Sequence, residues 1–415
     1  MKRLTLFLLT ITSICFGQKI TLSLDSCIQM AKRNYPLIKQ NHLIEESGKN
    51  AVQIDNKNWL PKLSFSSQAT YQSEVITFGG ISFPHDNYLT SLNVEQTLFD
   101  AGQNKQQKQY DRLNSENELM KNEVELYKLI DRVNQLYSNI LLMRENIKTL
   151  NIYQNDISNK KTNLSESLKN GMILQSNLDE LEAEELKTDQ SIIEAQENIK
   201  SLYQTLGMFI NKPVDDETEF SALPIINASK EDEINRPELK LFETQKAMLE
   251  ARYKIASKNT LPRIAVNGQG AYGRPGPNFL NQNLRYFGQT GVSLKWNIGS
   301  LYSLSNEKQY LNINKQMVDV QKEVFDFNLK TAMASQKAQI NSLNTIIEKD
   351  KLIIEKRHNI RMTASTQLDN GTITSADYLV QLNAEMQAIL NKKVHEIKLM
   401  NAITTYNANK GINNF

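Results

Sequence analysis

Four histidines and two cysteines are the side chains of this 415-residue sequence best suited to metal or nucleophilic chemistry. His42, His85, His358 and His395 are scattered, and none has a close acidic or cysteine partner in the sequence that suggests a triad or a ligand set. Cys15 lies in an apolar N-terminal run, which leaves Cys27 alone in the chain that follows and rules out an intrachain disulfide there. Gly268-Gln269-Gly270 has phosphate-loop spacing, but it falls within a strand-like segment and not at a strand-to-helix turn. Glu182, Glu184 and Glu185 sit in a helical pattern and read as a solvated face. No catalytic, cofactor or metal constellation emerges, so no enzyme is expected. A net charge of +2 gives no reason to expect nucleic acid as a partner.

Function must then reside in architecture. Lys2 and Arg3 precede an apolar run from Leu4 to Phe16, with Gly17 at a plausible cleavage point before Gln18. This is the pattern of an export signal over residues 1–17, too short to span a bilayer as a helix. Ile14 stands before Cys15 where a lipoprotein signal needs a small residue, so ordinary cleavage is expected. No later segment reaches about 18 consecutive apolar residues. A membrane crossing would have to be made by strands.

The remaining sequence is written twice. Asn34-Tyr35-Pro36 recurs as Asn235-Arg236-Pro237, and Leu60-Pro61-Lys62 as Leu261-Pro262-Arg263, each 201 positions on (237 − 36; 262 − 61). Asn170-Gly171 recurs as Asn370-Gly371, and Leu178, Leu181, Ala183 and Glu184 as Leu379, Leu382, Ala384 and Glu385. The repeats are placed at 18–210 and 235–415, with an acidic seam at 211–234. Each opens with a helix (about 22–58 and 235–259) closed by a Leu-Pro step, because proline disfavours helical geometry in the residue before it. Alternating segments follow, with strands expected at 62–72, 88–99, 263–272 and 287–298. Leu63, Phe65, Ala69 and Tyr71 share one parity against Ser64, Ser66 and Gln68. Val292, Leu294 and Trp296 do the same in the second copy.

Two stretches without proline or internal glycine (103–170 and 300–370) then predict long helices, on the order of 100 Å each at about 1.5 Å per residue. Leu126, Ile130, Val133, Tyr137, Ile140 and Ile147 fall at coiled-coil spacing, as do Ile313, Met317, Val320, Val324 and Phe327. Gly171 and Gly371 break these helices, and return helices are expected at 174–210 and 374–410. The fold class is thus mainly α, long helical hairpins with four strands. Four strands of about ten residues suit a tilted bilayer crossing, yet closed barrels begin at about eight. If the strands are transmembrane, several chains must pool them. A soluble sheet packed on helices is the other reading of the same pattern.

The duplicated plan resembles the TolC family of outer-membrane efflux proteins over nearly all of the chain after the signal. The resemblance is carried by Asn34-Tyr35-Pro36, Asn58-Trp59-Leu60-Pro61, Leu98-Phe99-Asp100-Ala101-Gly102, Asn170-Gly171-Met172-Ile173, Asn235-Arg236-Pro237-Glu238-Leu239 and Asn370-Gly371-Thr372-Ile373. It implies a homotrimer with a twelve-stranded β-barrel in the outer membrane of a Gram-negative bacterium. Below it a helical barrel would cross the periplasm and meet an adaptor protein coupled to an inner-membrane pump. It also implies that Gly171, Gly371, Asn170 and Asn370 form the adaptor-docking end, and that Asp377 rings the periplasmic mouth. Val380 stands where some relatives carry a second acidic residue. Leu294 and Trp296 are expected to face lipid, Trp296 at an interface. A periplasmic adaptor or a structural coiled-coil protein are the alternatives, although an adaptor carries one hairpin and this chain has two.

Overall fold

The structure, a computed structural model, describes residues 21–75, 77–169, 171, 173–221 and 234–412. The export signal with Cys15 and Gln18, Asn170, Met172 and the seam acids Glu231, Asp232 and Glu233 lie outside the described residues.

The first repeat holds β1 (Thr21–Leu22), α1 (Leu24–Asn34), α2 (Leu37–Lys57), β2 (Lys62–Tyr71), β3 (Thr77–Phe78), β4 (Ile81–Ser82), β5 (Asp86–Phe99), α3 (Gln103–Lys169) and α4 (Gln175–Ile210). There follow β6 (Glu219–Phe220), α5 (Pro237–Asn259), β7 (Arg263–Arg274), β8 (Arg285–Lys295), α6 (Ser300–Asp369) and α7 (Ser375–Lys410). One expectation is corrected at the start. The single helix expected over 22–58 is two, because Pro36 drives Tyr35 to an extended conformation (φ −63°, ψ 130°). The proline rule that ends the helix at Leu60-Pro61 also divides it here. Ser23 and Ser26 close a capping box at the start of α1.

The chain forms two compact units, and each draws on both repeats. One comprises residues 36–125 and 236–329. Its centre is an antiparallel sheet in the order β2-β5-β7-β8, in which β5 pairs with β7 across the two repeats. A bulge between Thr97 and Phe99 on β5 shifts the register at the end of this pairing. Helices are joined here largely by polar contacts. The Asn104 side-chain amide donates to the Asp55 carbonyl (2.8 Å), and that of Asn122 to the Asn41 side-chain carbonyl (3.0 Å). Lys315 pairs with Glu250 at 2.6 Å and Lys246 with Asp319.

The second unit comprises the described residues through Tyr35, with 126–235 and 330–412. Leu24, Cys27, Ile28 and Ala31 of α1 pack on Tyr127, Ile130, Val133, Tyr137 and Ile140 of α3 and on Ile199, Tyr203, Leu206 and Ile210 of α4. The 3.5-residue stripe of α3 is therefore filled within the chain. The stripe expected on α6 is not. Ile313, Met317, Val320, Val324 and Phe327 are all exposed, Phe327 by 71 %, while Leu311, Val318 and Leu329 are the buried positions.

A short parallel ladder, Thr21–Glu219 and Leu22–Phe220, fastens the seam to the chain start. The buried Tyr137 hydroxyl donates toward the carbonyls of Leu22 (2.9 Å) and Ser221 (2.6 Å), so the core of α3 holds this ladder directly. Tyr137→Phe should lower stability by about 1 kcal/mol, the net worth of one buried hydrogen bond. The check is thermal unfolding of the detergent-solubilised protein by circular dichroism. An unchanged midpoint would mean that the hydroxyl does not secure the ladder.

Candidate functional site: an open amphipathic sheet and a pair of helical turns

The candidate residues lie at two places, the strands and the turns between long helices. In the sheet, successive side chains alternate between faces, and the register aligns one parity across all four strands. On one face Leu63 and Phe65 of β2 stand opposite Val94 and Leu92 of β5. Leu92 and Gln96 of β5 stand opposite Gly270 and Val266 of β7. Ile264, Val266 and Tyr272 stand opposite Leu294, Val292 and Tyr286 of β8. The Tyr272 and Tyr286 rings lie 4.6 Å apart. These apolar groups are uncovered: Phe65 is 72 % exposed, Val292 73 % and Leu294 65 %. The other face carries Ser64, Ser66, Gln68, Ser91, Asn93, Asn267, Gln269, Gln289 and Ser293. Hydroxyl and amide pairs cross it, such as Ser66–Ser91 at 2.9 Å and Asn267–Ser293 at 2.7 Å.

Among the described residues the sheet has two unpaired edges, β2 and β8. Leu294 lies on the apolar face as expected from parity. Trp296 does not belong to the strand, which ends at Lys295 and not at 298. Its indole N–H donates to the Thr260 carbonyl at the end of α5 (2.9 Å), and this contact draws the chain out of the ladder toward α6. The ring is still half exposed beside the apolar face. Gly268 and Gly270 lie within β7, away from any helix N-terminus.

At the other place, Gly171 and Gly371 end α3 and α6 with φ of 72° and 68°, a backbone region that favours glycine. Their N–H groups donate to the carbonyls of Leu168 (2.9 Å) and Leu368 (3.0 Å). The two turns are side by side: the Ser375 N–H donates to the Asn177 side-chain carbonyl (3.3 Å). Leu164 and Leu181 of the first hairpin share a buried cluster with Leu368, Tyr378 and Leu382 of the second. Asn370 is exposed at the end of α6. Asp377 is exposed and sits in the first turn of α7. It closes a capping box with Thr374, accepting from the Thr374 amide (3.1 Å) and hydroxyl (2.7 Å). These donors hold its carboxyl below the usual range, so it stays ionised.

Three helices, α3, α6 and α7, are locked together behind the turns by polar contacts that the linear sequence conceals. Buried Lys160 of α3 reaches Asp369 (2.8 Å) and the hydroxyl of Ser365 (2.7 Å) on α6. Buried Glu385 of α7 meets Nδ1 of His358 (2.8 Å) and Nε of Arg361 on α6. Asp350 and His395 pair at 2.7 Å. His358 and His395 thus have acidic partners, which come from a neighbouring helix, and His42 has Glu46 at 3.7 Å one turn along α2. Their pairing does not amount to a metal site: among the described residues no group of three or more His, Cys, Asp or Glu could hold an ion. Cys27 is enclosed by the core, and burial pushes its thiol up to about 12, away from the reactive thiolate.

An open amphipathic sheet joined to long paired hairpins is also the arrangement found by comparison. Residues 27–210 match the sequence profile of the outer membrane efflux protein family. Over that segment the chain is similar to the outer membrane efflux proteins. The matched segment is the first repeat, and the whole chain carries the fold. The outer-membrane channel OprN is similar with a TM-score of 0.72 at 13% identity, covering 94% of this chain and 89% of that one. The CmeC outer membrane channel of Campylobacter jejuni gives 0.67 at 14% identity, covering 94% and 86%. The open-state MtrE outer membrane channel of Neisseria gonorrhoeae gives 0.66 at 14% identity, covering 94% and 89%. No curated protein matches the sequence itself. At such identities the likeness establishes the fold: mainly α, with long helical hairpins and a four-stranded β part.

If the apolar face of the sheet meets lipid, Leu294→Arg at mid-depth should cost roughly 2–4 kcal/mol per chain. Membrane fractionation with a seminative gel reads the outcome. An unchanged oligomer in the outer membrane would remove Leu294 from the lipid face.

Proposed function

We propose that this chain is one subunit of a passive exit duct through the outer membrane of a Gram-negative bacterium. The observation that carries this reading is the sheet, with its bare apolar face and two unpaired edges. Backbone groups can enter hydrocarbon only when all are paired, so the edges must be closed by further copies. β2 and β8 run in opposite senses, so β8 of one copy meets β2 of the next as one more antiparallel pair. Three copies, the number that the family resemblance supports, make a twelve-stranded barrel. The exposed α6 stripe from Ile313 to Phe327 supplies an apolar surface for the same neighbour. The helices then lie in the periplasm, and an adaptor protein couples their turns to an inner-membrane pump. The adaptor reading of the chain itself is disfavoured by its two hairpins and by the family match.

Gly171 and Gly371, with Asn170 and Asn370, are the proposed docking end. A side chain at Gly171 would meet open space, so a bulky substitution there changes the surface and strains the positive-φ turn without filling a core. Replacing both glycines with bulky residues should abolish crosslinking to the adaptor while oligomers remain. Normal crosslinking together with normal export would reject the docking role.

Asp377 is the proposed charge at the periplasmic mouth. Its carboxylate caps α7 and stays exposed, and symmetry would repeat it around a narrow axis where low-dielectric walls focus the field. Asp377→Asn should weaken cation preference and block by multivalent cations in single-channel recordings. Unchanged selectivity and block would leave Asp377 as a helix-capping residue.

A further inference from the structure

The polar face of the sheet is not uniformly polar. Its middle, from Ser64 to Thr70 on β2, Asn87 to Asn93 on β5, Ala265 to Gly273 on β7 and Phe287 to Ser293 on β8, has no ionisable side chain on that face. Arg285 lies on this face at the loop end of β8, and the remaining charge appears where the strands meet the helices. There the same face carries Lys62, Glu95, Arg263 and Lys295. Lys62 stands directly across from Glu95, and Arg263 directly across from Lys295. The Lys295 Nζ comes within 3.9 Å of Glu95, and Arg263 donates to the Asn259 side-chain carbonyl at 3.0 Å. Three cations face one carboxylate, a net charge of +2 per chain (3 − 1).

Lysine and arginine near the end of a membrane strand commonly reach outward to the lipid interface. Register excludes that role here. These four residues have the parity opposite to Leu63, Phe65, Val292 and Leu294, so they lie on the side turned away from the exposed apolar face.

We propose that Lys62, Arg263 and Lys295 form a cationic collar on the pore wall at the inner end of the strands, which favours anionic cargo and binds multivalent oxyanions. The collar rests on the barrel assembly described above, since only closure turns this face into a pore lining. Repetition by symmetry concentrates like charges around an aqueous path with low-dielectric walls, and such a path raises the local concentration of counter-ions. Lys62 and Lys295 are both exposed, so their ammonium groups remain available to phosphate, carboxylate or sulfonate groups in transit. The uncharged middle of the wall above it offers hydrogen bonds and sets no second charge filter. The collar and Asp377 would act as separate stations of opposite sign.

The test uses the full-length protein reconstituted in planar bilayers under a salt gradient. Inorganic tripolyphosphate is added to each compartment in turn as the blocking probe. Lys62→Gln combined with Lys295→Gln should move the reversal potential toward cations and weaken tripolyphosphate block by at least about tenfold. Lys62→Arg combined with Lys295→Arg should keep both properties of the wild type. Conducting oligomers in which the glutamine pair leaves reversal potential and block unchanged would overturn the collar alone. A wild-type protein that forms no conducting oligomer would overturn the barrel reading and the collar with it.

Discussion

A strand edge in hydrocarbon leaves a row of N–H and C=O groups with no water to satisfy them, at several kcal/mol for each unpaired group. The sheet of this protein has two unpaired edges and an exposed apolar face among the described residues, and in the proposed membrane setting both would have to be completed. Much else follows from that incompleteness. Four strands are too few to close, but an even number of alternating strands lets identical copies continue the same antiparallel ladder. Side-chain parity separates an apolar face from a face of hydroxyls and amides, which closure would make an exterior and an interior. An apolar stripe on α6 is also left open, whereas the corresponding stripe on α3 is filled from within. The chain thus buries one of its two coiled-coil seams itself and presents the other.

The helical turns follow different physics. An apolar repeat at 3.5-residue spacing leaves neighbouring registers nearly equivalent in energy, because a one-heptad slip re-buries similar side chains. Buried polar contacts remove that degeneracy. Lys160 finds Asp369 and Ser365, and Glu385 finds both His358 and Arg361, only when the hairpins are aligned as they are. Any slip would leave a buried charge without its partner, which typically costs 3–5 kcal/mol. The side-by-side placement of the turns at Gly171 and Gly371 depends on this alignment as well as on the cluster around Leu164 and Tyr378.

At Asp377 a local capping role coincides with the role proposed for it at the pore mouth. Its carboxylate accepts from the Thr374 amide and hydroxyl, which fixes the start of α7. The same exposed charge would recur around any symmetry axis the copies share. Local capping makes the orientation of the carboxylate reproducible, and that is what a ring of charges at a narrow mouth needs.

The secondary structure was largely legible in the sequence. Period-two alternation marked the four strands, uninterrupted heptads marked α3 and α6, and glycines marked their ends, because each signal arises from local backbone geometry. Proline at 36 was legible too, since it restricts its own neighbour, although the helical pattern on either side runs across it. The partners of His358 and His395 were not legible, because they come from a helix that only tertiary packing brings alongside. Nor was the exit of Trp296 from the strand, which depends on a carbonyl 36 residues earlier in the chain. Parity by itself determined which residues share a face, but only the register across four strands gathered Lys62, Glu95, Arg263 and Lys295 at one end. A single strand carries one or two of these charges, and it takes hydrogen-bonded neighbours from both repeats to make them a cluster.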